Sequence, residues 1–414
     1  MDAQRTYTLV FVFTTFPPEV SGSALFNWER VQWLAQQGTY QIVVLANNWQ
    51  DSSSLPCVPP GLERNLIIET FPSKPWLIYE LLQVPTFAAV RQIEERLAFY
   101  QPNLITLVDI ERMFWFSTWH LPGRDYARQH RIPYITEYQT DYYNHIGTYP
   151  CGKLLREILL KPVQRYLYHQ CDITLAISPA SARSLQQIGI SNFHSLSFHG
   201  VDIAPFSPSY RDRKWLETCL TPEEQNHQVI LFLGRLALEK RIDLLIEAFA
   251  QLKRRRHQCS LIIAGEGPTN VMTKLKRLAQ PIPHIHFVGF APEEKAKLLA
   301  SCDIYCTPAP YETFGRTPVE AMASGIPVVT VNSGGVSDYV VDRVNGYLVP
   351  PENVEALTNM LETVLSTNNE TLIERALQDA KKLSIERACQ MLNDYYQNLL
   401  ISICFESYNF LPIQ

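Results

Sequence analysis

Short runs of β-branched and aromatic residues alternate along this chain with longer segments in which apolar positions recur every three to four residues. Thr8 to Thr14 is the first run. It stops at Phe16-Pro17-Pro18-Glu19-Val20-Ser21-Gly22, and Leu25, Trp28, Val31 and Leu34 then mark one face of a helix from Ala24 to Gln37. Gln41 to Ala46, Leu66 to Glu69, Ile105 to Val108, Tyr134 to Glu137 and Asp172 to Ser178 supply further strands, with helical segments between them. His199-Gly200-Val201-Asp202 leads into Pro205, Pro208 and a charged segment through Glu224, where a domain boundary is placed. The alternation restarts at Val229 to Leu233 and continues through Leu261 to Ala264 and His286 to Gly289. The pattern predicts two α/β domains with doubly wound parallel sheets, over 1–205 and 206–384, and a last helical segment over 385–414.

The second domain carries the stretch on which the chemistry is expected to turn, PAPYETFGRTPVEAMASGIPVV from Pro308 to Val329. A short strand over Asp303 to Cys306 precedes it. Thr317-Pro318-Val319-Glu320 reads as a helix start with Thr317 as N-cap and Pro318 at the first helical position. Ser324-Gly325 ends that helix and Ile326 to Thr330 resumes as a buried strand. Unpaired N–H groups at such a helix start suit a diphosphate, and Gly315 lets a ligand approach the backbone. Ionised Glu312 and Glu320 accept hydrogen bonds only, so sugar and ribose hydroxyls are their natural partners. Glu320 has a second reading, since Thr317 and Glu320 have the spacing of a capping box. Arg235 and Lys240, in the turn after Leu233, are two cations able to neutralise a diphosphate, although basic loop residues are ordinarily just solvated. Gly22 at the first helix entrance could admit a phosphate or be a plain turn glycine. Ser333-Gly334-Gly335 is expected to open another helix.

Composition narrows the classes. The 414 residues are 46% hydrophobic and 19% charged, which describes a folded protein, and the net charge of -5 gives no reason to expect nucleic acid. The nine cysteines lack paired spacing and read as free thiols. No apolar run is long enough to cross a bilayer, and the start reads as a first strand rather than a signal peptide. Phe114, Trp115, Phe116 and Trp119 could form an apolar acceptor site, but aromatics beside a strand are ordinarily core. Leu154 to Tyr168 is amphipathic and basic, compatible with a membrane surface, and is expected to be a solvated domain helix.

Taken together, the E-x7-E pair Glu312 and Glu320, GRLALEK at Gly234 to Lys240, AGEGP at Ala264 to Pro268, FPPEVSG, HGVD at His199 to Asp202, SGG and NGYLVP resemble the retaining glycosyltransferases of family four. The resemblance spans most of the chain and implies the GT-B fold, two Rossmann-like domains facing a cleft, with the last helix crossing back onto the first domain. It implies that Glu312 contacts the donor sugar and Glu320 the ribose. Arg235 and Lys240 would hold the diphosphate, and Gly265, Glu266 and the segment Phe314, Gly315, Arg316 and Thr317 would position the donor, over which the Gly22 loop closes. Relatives commonly have His where Tyr138-Gln139-Thr140 has Gln139, which can hydrogen-bond but cannot take a proton. The expected activity is transfer of a hexose from a nucleotide diphosphate sugar, with uridine as the expected base, with retention and without a metal or other cofactor; no DxD pair occurs. The expected acceptor is a soluble sugar or small aglycone, with a membrane lipid as the alternative, and the expected location is the cytosol, with peripheral membrane contact as an option. A sugar-nucleotide epimerase and a non-catalytic nucleotide-sugar-binding subunit are the readings from other classes.

Overall fold

The structure, a computed structural model, describes residues 7–49, 56–76, 79–117, 119–147, 151–289 and 291–405. The first half contributes β1 (Tyr7–Phe13), β2 (Tyr40–Asn47), β3 (Leu66–Phe71), β4 (Ser73–Trp76), β5 (Tyr79–Pro85), β6 (Leu104–Val108), β7 (Tyr134–Tyr138), β8 (Ile173–Ala176) and β9 (Phe193–Ser195). The second contributes β10 (Gln228–Leu233), β11 (Cys259–Ala264), β12 (Ile285–Val288), β13 (Ile304–Thr307), β14 (Val328–Val331) and β15 (Tyr347–Val349). Two parallel sheets result, in the orders β3-β2-β1-β6-β7-β8-β9 and β12-β11-β10-β13-β14-β15, and β4 and β5 form a separate antiparallel pair. This is the two-domain doubly wound architecture that the strand pattern predicts.

Both faces of each sheet are covered, which is why the strands read as continuous apolar runs instead of alternating. On β1, Leu9, Phe11 and Phe13 enter one core while Val10 and Val12 enter the other. On β10, Ile230 and Phe232 pack with the helix Ile242–Arg254, and Val229, Leu231 and Leu233 pack with the helix Arg316–Ala323. The helices that follow β10 and β13 therefore leave on opposite faces. The helix Ile385–Phe405 returns to the first domain, where Ile385, Cys389, Leu392, Tyr396 and Leu400 join its core and Tyr40 donates to Asn393 at 3.0 Å. Residues 406–414 of that predicted segment lie outside the described residues.

Three local expectations are corrected. The helix after β13 begins at Arg316 with Gly315 as its N-cap, at φ 85°, so Thr317 is already its second residue and forms no cap. Ser333-Gly334-Gly335 opens only the three-residue turn Val336–Asp338. The segment Leu154 to Tyr168 is interrupted by a π-turn over Arg156–Leu160. That extra residue changes the helical phase: Leu160, Gln164, Leu167 and Tyr168 are buried, while Leu154, Leu155, Ile158 and Leu159 face solvent. The aromatic stretch is not simply core either, because Trp119 is 67% exposed and Phe114, Trp115 and Phe116 are half-buried.

Candidate active site

In an open parallel sheet, ligands bind beyond the carboxyl ends of the strands, between the two neighbours whose helices diverge. In the second domain those neighbours are β10 and β13. The chain leaving β10 carries Arg235 and Lys240, and the chain leaving β13 carries Glu312. The fold brings these together: Lys240 Nζ forms an ion pair with Glu312 Oε1, each about one-fifth exposed. Arg235 pairs with Glu239 at 2.7 Å. Burial alone would raise the Glu239 carboxyl, but the charges of Arg235, Lys240 and His145 bring it below its ordinary value. A cationic cluster thus stands at the carboxyl edge of the sheet, with Glu312 inside it.

Glu320 is 1% exposed and pairs with Lys295 at 2.6 Å. The capping-box reading of Glu320 is therefore overturned: with Gly315 as N-cap the third helical position, from which a box closes, is Pro318, and Glu320 pairs with Lys295 instead. Gly315 itself is required: at φ 85° a side chain would be strained, and a Cβ would lie 2.6 Å from Val336 Cγ2. Gly265 has a comparable role, since a Cβ there would stand 1.9 Å from the Gly234 carbonyl oxygen, so it seats the AGEGP loop against the Arg235 loop. Glu266 beside it is exposed.

The remaining candidates lie where the two domains meet. Arg316 spends its guanidinium on Glu29 of the first domain, at 2.8 and 3.0 Å, and on the Gly200 carbonyl at 3.0 Å, leaving its backbone as the part available to a donor. Gly22, exposed at the start of the helix Gly22–Gln36, faces Arg316 closely enough that a Cβ would lie 3.2 Å from its Cδ. Phe314 is buried, and the His199 ring stacks between it, at 4.7 Å, and Phe26, at 4.1 Å. Burial, then the charges of Arg316 and Arg30, hold His199 well below its ordinary pKa, so a neutral ring bridges the domains. Thr317 is half-buried. Gln139 is 2% exposed and donates to Glu137 at 2.7 Å and Asn27 at 2.9 Å. Glu137 is paired in turn with Arg30 at 2.7 Å, both fully buried. The Gln139 side-chain oxygen has no hydrogen-bond partner among the described residues, and its backbone carbonyl accepts from Thr313 of the second domain at 2.8 Å.

Between the domains lies a cavity of about 180 Å³, lined by Asp141, Asn144, Arg183 and Ser184 on one side and Tyr311, Glu312 and Gly334 on the other. Asp141 was not legible beforehand: it is buried and accepts from Tyr138, Ser184 and Asn144 at 2.7 to 2.8 Å. Asp109, at the carboxyl end of β6, was also missed. It holds φ 56°, accepts from Thr15 and from Thr140 at 3.3 Å, and sits at the β1/β6 divergence of the first sheet. A non-glycine residue kept in that region inside a cleft is a signature of a constrained site, but nothing in the local sequence announces it. Chemically, the arrangement offers cations where a departing diphosphate would gather charge and carboxylates where hydroxyls would lie.

Comparison with known proteins agrees with this geometry. Residues 221–382 match the family model "Glycosyl transferases group 1" and residues 20–204 match "Glycosyltransferase Family 4". An alpha-monoglucosyldiacylglycerol synthase of Streptococcus pneumoniae is 25% identical, over 80% of this chain and 76% of its own. A GDP-mannose-dependent alpha-mannosyltransferase of Mycobacterium tuberculosis is 28% identical, over 83% of each chain. The crystal structure of Anabaena HepE in complex with UDP-glucose superposes with a TM-score of 0.73 at 20% identity, covering 95% of this chain and 100% of that one. With both halves matched and the two facing sheets in place, this chain belongs to the GT-B glycosyltransferases of group 1, family 4.

Proposed function

We propose that this glycosyltransferase moves a hexose from a uridine diphosphate sugar, with retention of configuration and without a metal in the chemical step, onto a hydroxyl of a lipid presented at a membrane surface. The observation that carries the donor half is the meeting of Lys240 and Glu312 at the β10/β13 divergence. Without donor, each neutralises the other. With donor, the diphosphate takes Lys240 as counter-ion, and Glu312 turns its oxygens to the sugar hydroxyls. As the bond from the anomeric carbon to the diphosphate breaks, negative charge grows on the leaving group. Arg235, Lys240 and the amides at the start of the helix Arg316–Ala323 stabilise it. The acceptor oxygen bonds to the anomeric carbon on the face the diphosphate leaves, and its proton passes to a phosphate oxygen. Gln139, with its side chain committed to Glu137 and Asn27, is not needed as a base.

The acceptor half rests on the surface beside the cleft. Leu154, Leu155, Ile158 and Leu159 are 44 to 68% exposed, and Lys153, Arg156, Lys161 and Arg165 lie among or beside them. Trp119 and Tyr166 extend this face through Phe114, whose ring centroid lies 6.3 and 6.4 Å from theirs. A helix with exposed aliphatic residues, flanking basic residues and neighbouring aromatics has the make-up of an interfacial segment. The separate helix Tyr142–Ile146 links this face to the Glu312 loop: its Tyr143 donates to Glu157, and its His145 bonds the Tyr311 carbonyl at 3.0 Å. These features favour the lipid over the soluble sugar or aglycone expected from composition. That no helix among the described residues is long and apolar enough to cross a membrane fits a surface-bound enzyme.

The test is incubation with UDP-glucose, UDP-galactose and GDP-mannose, each with anionic vesicles containing diacylglycerol or with a panel of soluble sugars and aglycones, reading new masses in both phases. A glycolipid made from a uridine donor supports the proposal. Products confined to the aqueous phase would restore the soluble acceptor, GDP-mannose as the only donor would replace the base, and an epimerised donor without transfer would overturn the activity.

A further inference from the structure

At the opposite end of the second sheet, the amino ends of its strands, three histidines gather around one buried carboxylate. Glu224 ends the short turn Pro222–Glu224 in the linker between the domains, and His227 directly precedes β10. His284 and His286 come from the start of β12, and Ser260 from the adjoining β11. Glu224 is fully buried. Its Oε1 accepts from His284 Nδ1 at 2.7 Å, from His286 Nε2 at 2.9 Å and from Ser260 at 3.1 Å, and Ser260 Oγ lies 2.9 Å from His227 Nδ1. One ligand atom from each of Glu224, His227 and His284 falls within 4.8 Å of the others, and His286 Nε2 is 2.9 Å from both oxygens of the same carboxylate.

The four side chains come from two short segments, Glu224 to His227 and His284 to His286, that lie 60 residues apart in the chain and meet only in the fold. None belongs to the donor site at the carboxyl ends of the strands. We propose that Glu224, His227, His284 and His286 form a site for a divalent transition-metal ion, with Zn²⁺ the ion they fit best, that clamps the interdomain linker onto the base of the second domain's sheet.

The donor set is imidazole nitrogen and carboxylate oxygen, which suits zinc at about 2.0–2.2 Å per ligand. Ligand atoms around such an ion stand about 3.3 Å apart, so the hydrogen-bonded pairs would open slightly, and any wider pair, all being within 4.8 Å, would close on the ion. The outer bonds expected of a metal site are present too: the Thr221 amide and hydroxyl hold Glu224 Oε2 at 2.7 and 2.8 Å, fixing the carboxylate. A carboxylate and a neutral imidazole are the forms that ligate. Of the cations nearby, Lys253 is occupied by the His257 and Cys259 carbonyls at 3.0 and 3.1 Å, and Arg213 by the His227 carbonyl and by Asp303 at 3.1 Å. His284 and His286 are each about one-quarter exposed, which leaves an ion a way in.

The full-length chain, stripped with a chelator and desalted, is titrated with Zn²⁺ against a chromophoric competitor, and Co²⁺ is then substituted. One ion per chain is expected, with a higher thermal midpoint than the stripped protein and a cobalt spectrum without thiolate charge-transfer absorption, since the exposed thiols of Cys57 and Cys151 are not part of the site. His284→Asn, chosen because Asn tolerates a positive φ, and His286→Gln should each weaken binding at least tenfold while keeping the circular dichroism of the stripped protein. No uptake, uptake unchanged in both variants, or a thiolate band in the cobalt form would each overturn the proposal.

Discussion

The two domains share a sheet plan yet handle charge in opposite ways. Where β1 and β6 diverge in the first domain, the charged groups are sealed in: Arg30 and Glu137 pair with no exposure, with the Arg30 guanidinium 5.2 to 5.3 Å from the ring centroids of Phe11, Phe13 and Phe26. Glu19 is likewise bound to Arg112 at 2.8 Å. Where β10 and β13 diverge in the second, Lys240, Glu312 and Arg235 are paired but remain reachable from the cleft. Enclosed pairs fix a shape, because breaking one strands a charge in low dielectric. Accessible pairs can exchange partners when a charged ligand arrives. The contrast fits the proposed function, in which the second domain holds the donor and the first supplies a rigid wall facing the acceptor.

The sharpest way to break that contrast is Lys240→Ala or Glu312→Ala. Transfer should fall by about 100- to 1,000-fold, the scale of losing one preorganised charge partner of a transition state, with the unfolding midpoint little changed. Wild-type turnover in either variant would remove the site assignment. In the first domain the reverse is expected. Glu137→Gln leaves Arg30 uncompensated and should cost about 3–5 kcal/mol in urea unfolding, while turnover per folded molecule stays within a few-fold. Intact stability with lost turnover would make the enclosed pair catalytic.

A pH experiment probes the same wall. Burial pushes the Glu111 carboxyl up to about 7, against the pull of its hydrogen bonds from Gln164 and Tyr168. The folded value lies above the unfolded one, so the native state holds the proton more tightly. Stability from this group is fully present below about pH 4.5, declines as pH rises towards 7 and is level above, for a change of about 3 kcal/mol at 1.36 kcal/mol per pKa unit. Glu111→Gln should flatten that decline; an unchanged profile would show that other groups cause it. The smallest effect on activity belongs to Glu320→Gln, for which nucleotide affinity should drop about tenfold, the worth of one hydrogen bond to a charged group, with a smaller loss of stability than for Glu137→Gln because Lys295 is 18% exposed and keeps access to water. Lost stability at unchanged affinity would make the Lys295 pair purely structural.

Most of the fold was legible because the central strands of each sheet are buried on both faces and so write themselves as apolar runs, and because the Glu312 to Glu320 spacing lies within one loop and helix. What the sequence hid depends on tertiary placement. Lys295 reaches Glu320 from another helix. Thr317 looks like a cap only until the positive φ of Gly315 starts the helix earlier. Leu154 to Tyr168 reads as one amphipathic domain helix, and the π-turn that leaves Leu154, Leu155, Ile158 and Leu159 facing solvent has no sequence signature of its own. Asp109 and Asp141 are single acidic residues in separate turns, joined in purpose only by the cleft.

The central claim, transfer with retention in the cleft between the domains, is tested most directly by proton NMR of the glycosylated product made from an α-linked uridine diphosphate sugar. The account predicts an α-linked glycolipid, formed by the wild type and absent with Lys240→Ala. A β-linked product, or the α-linked one at undiminished yield from Lys240→Ala, would contradict it.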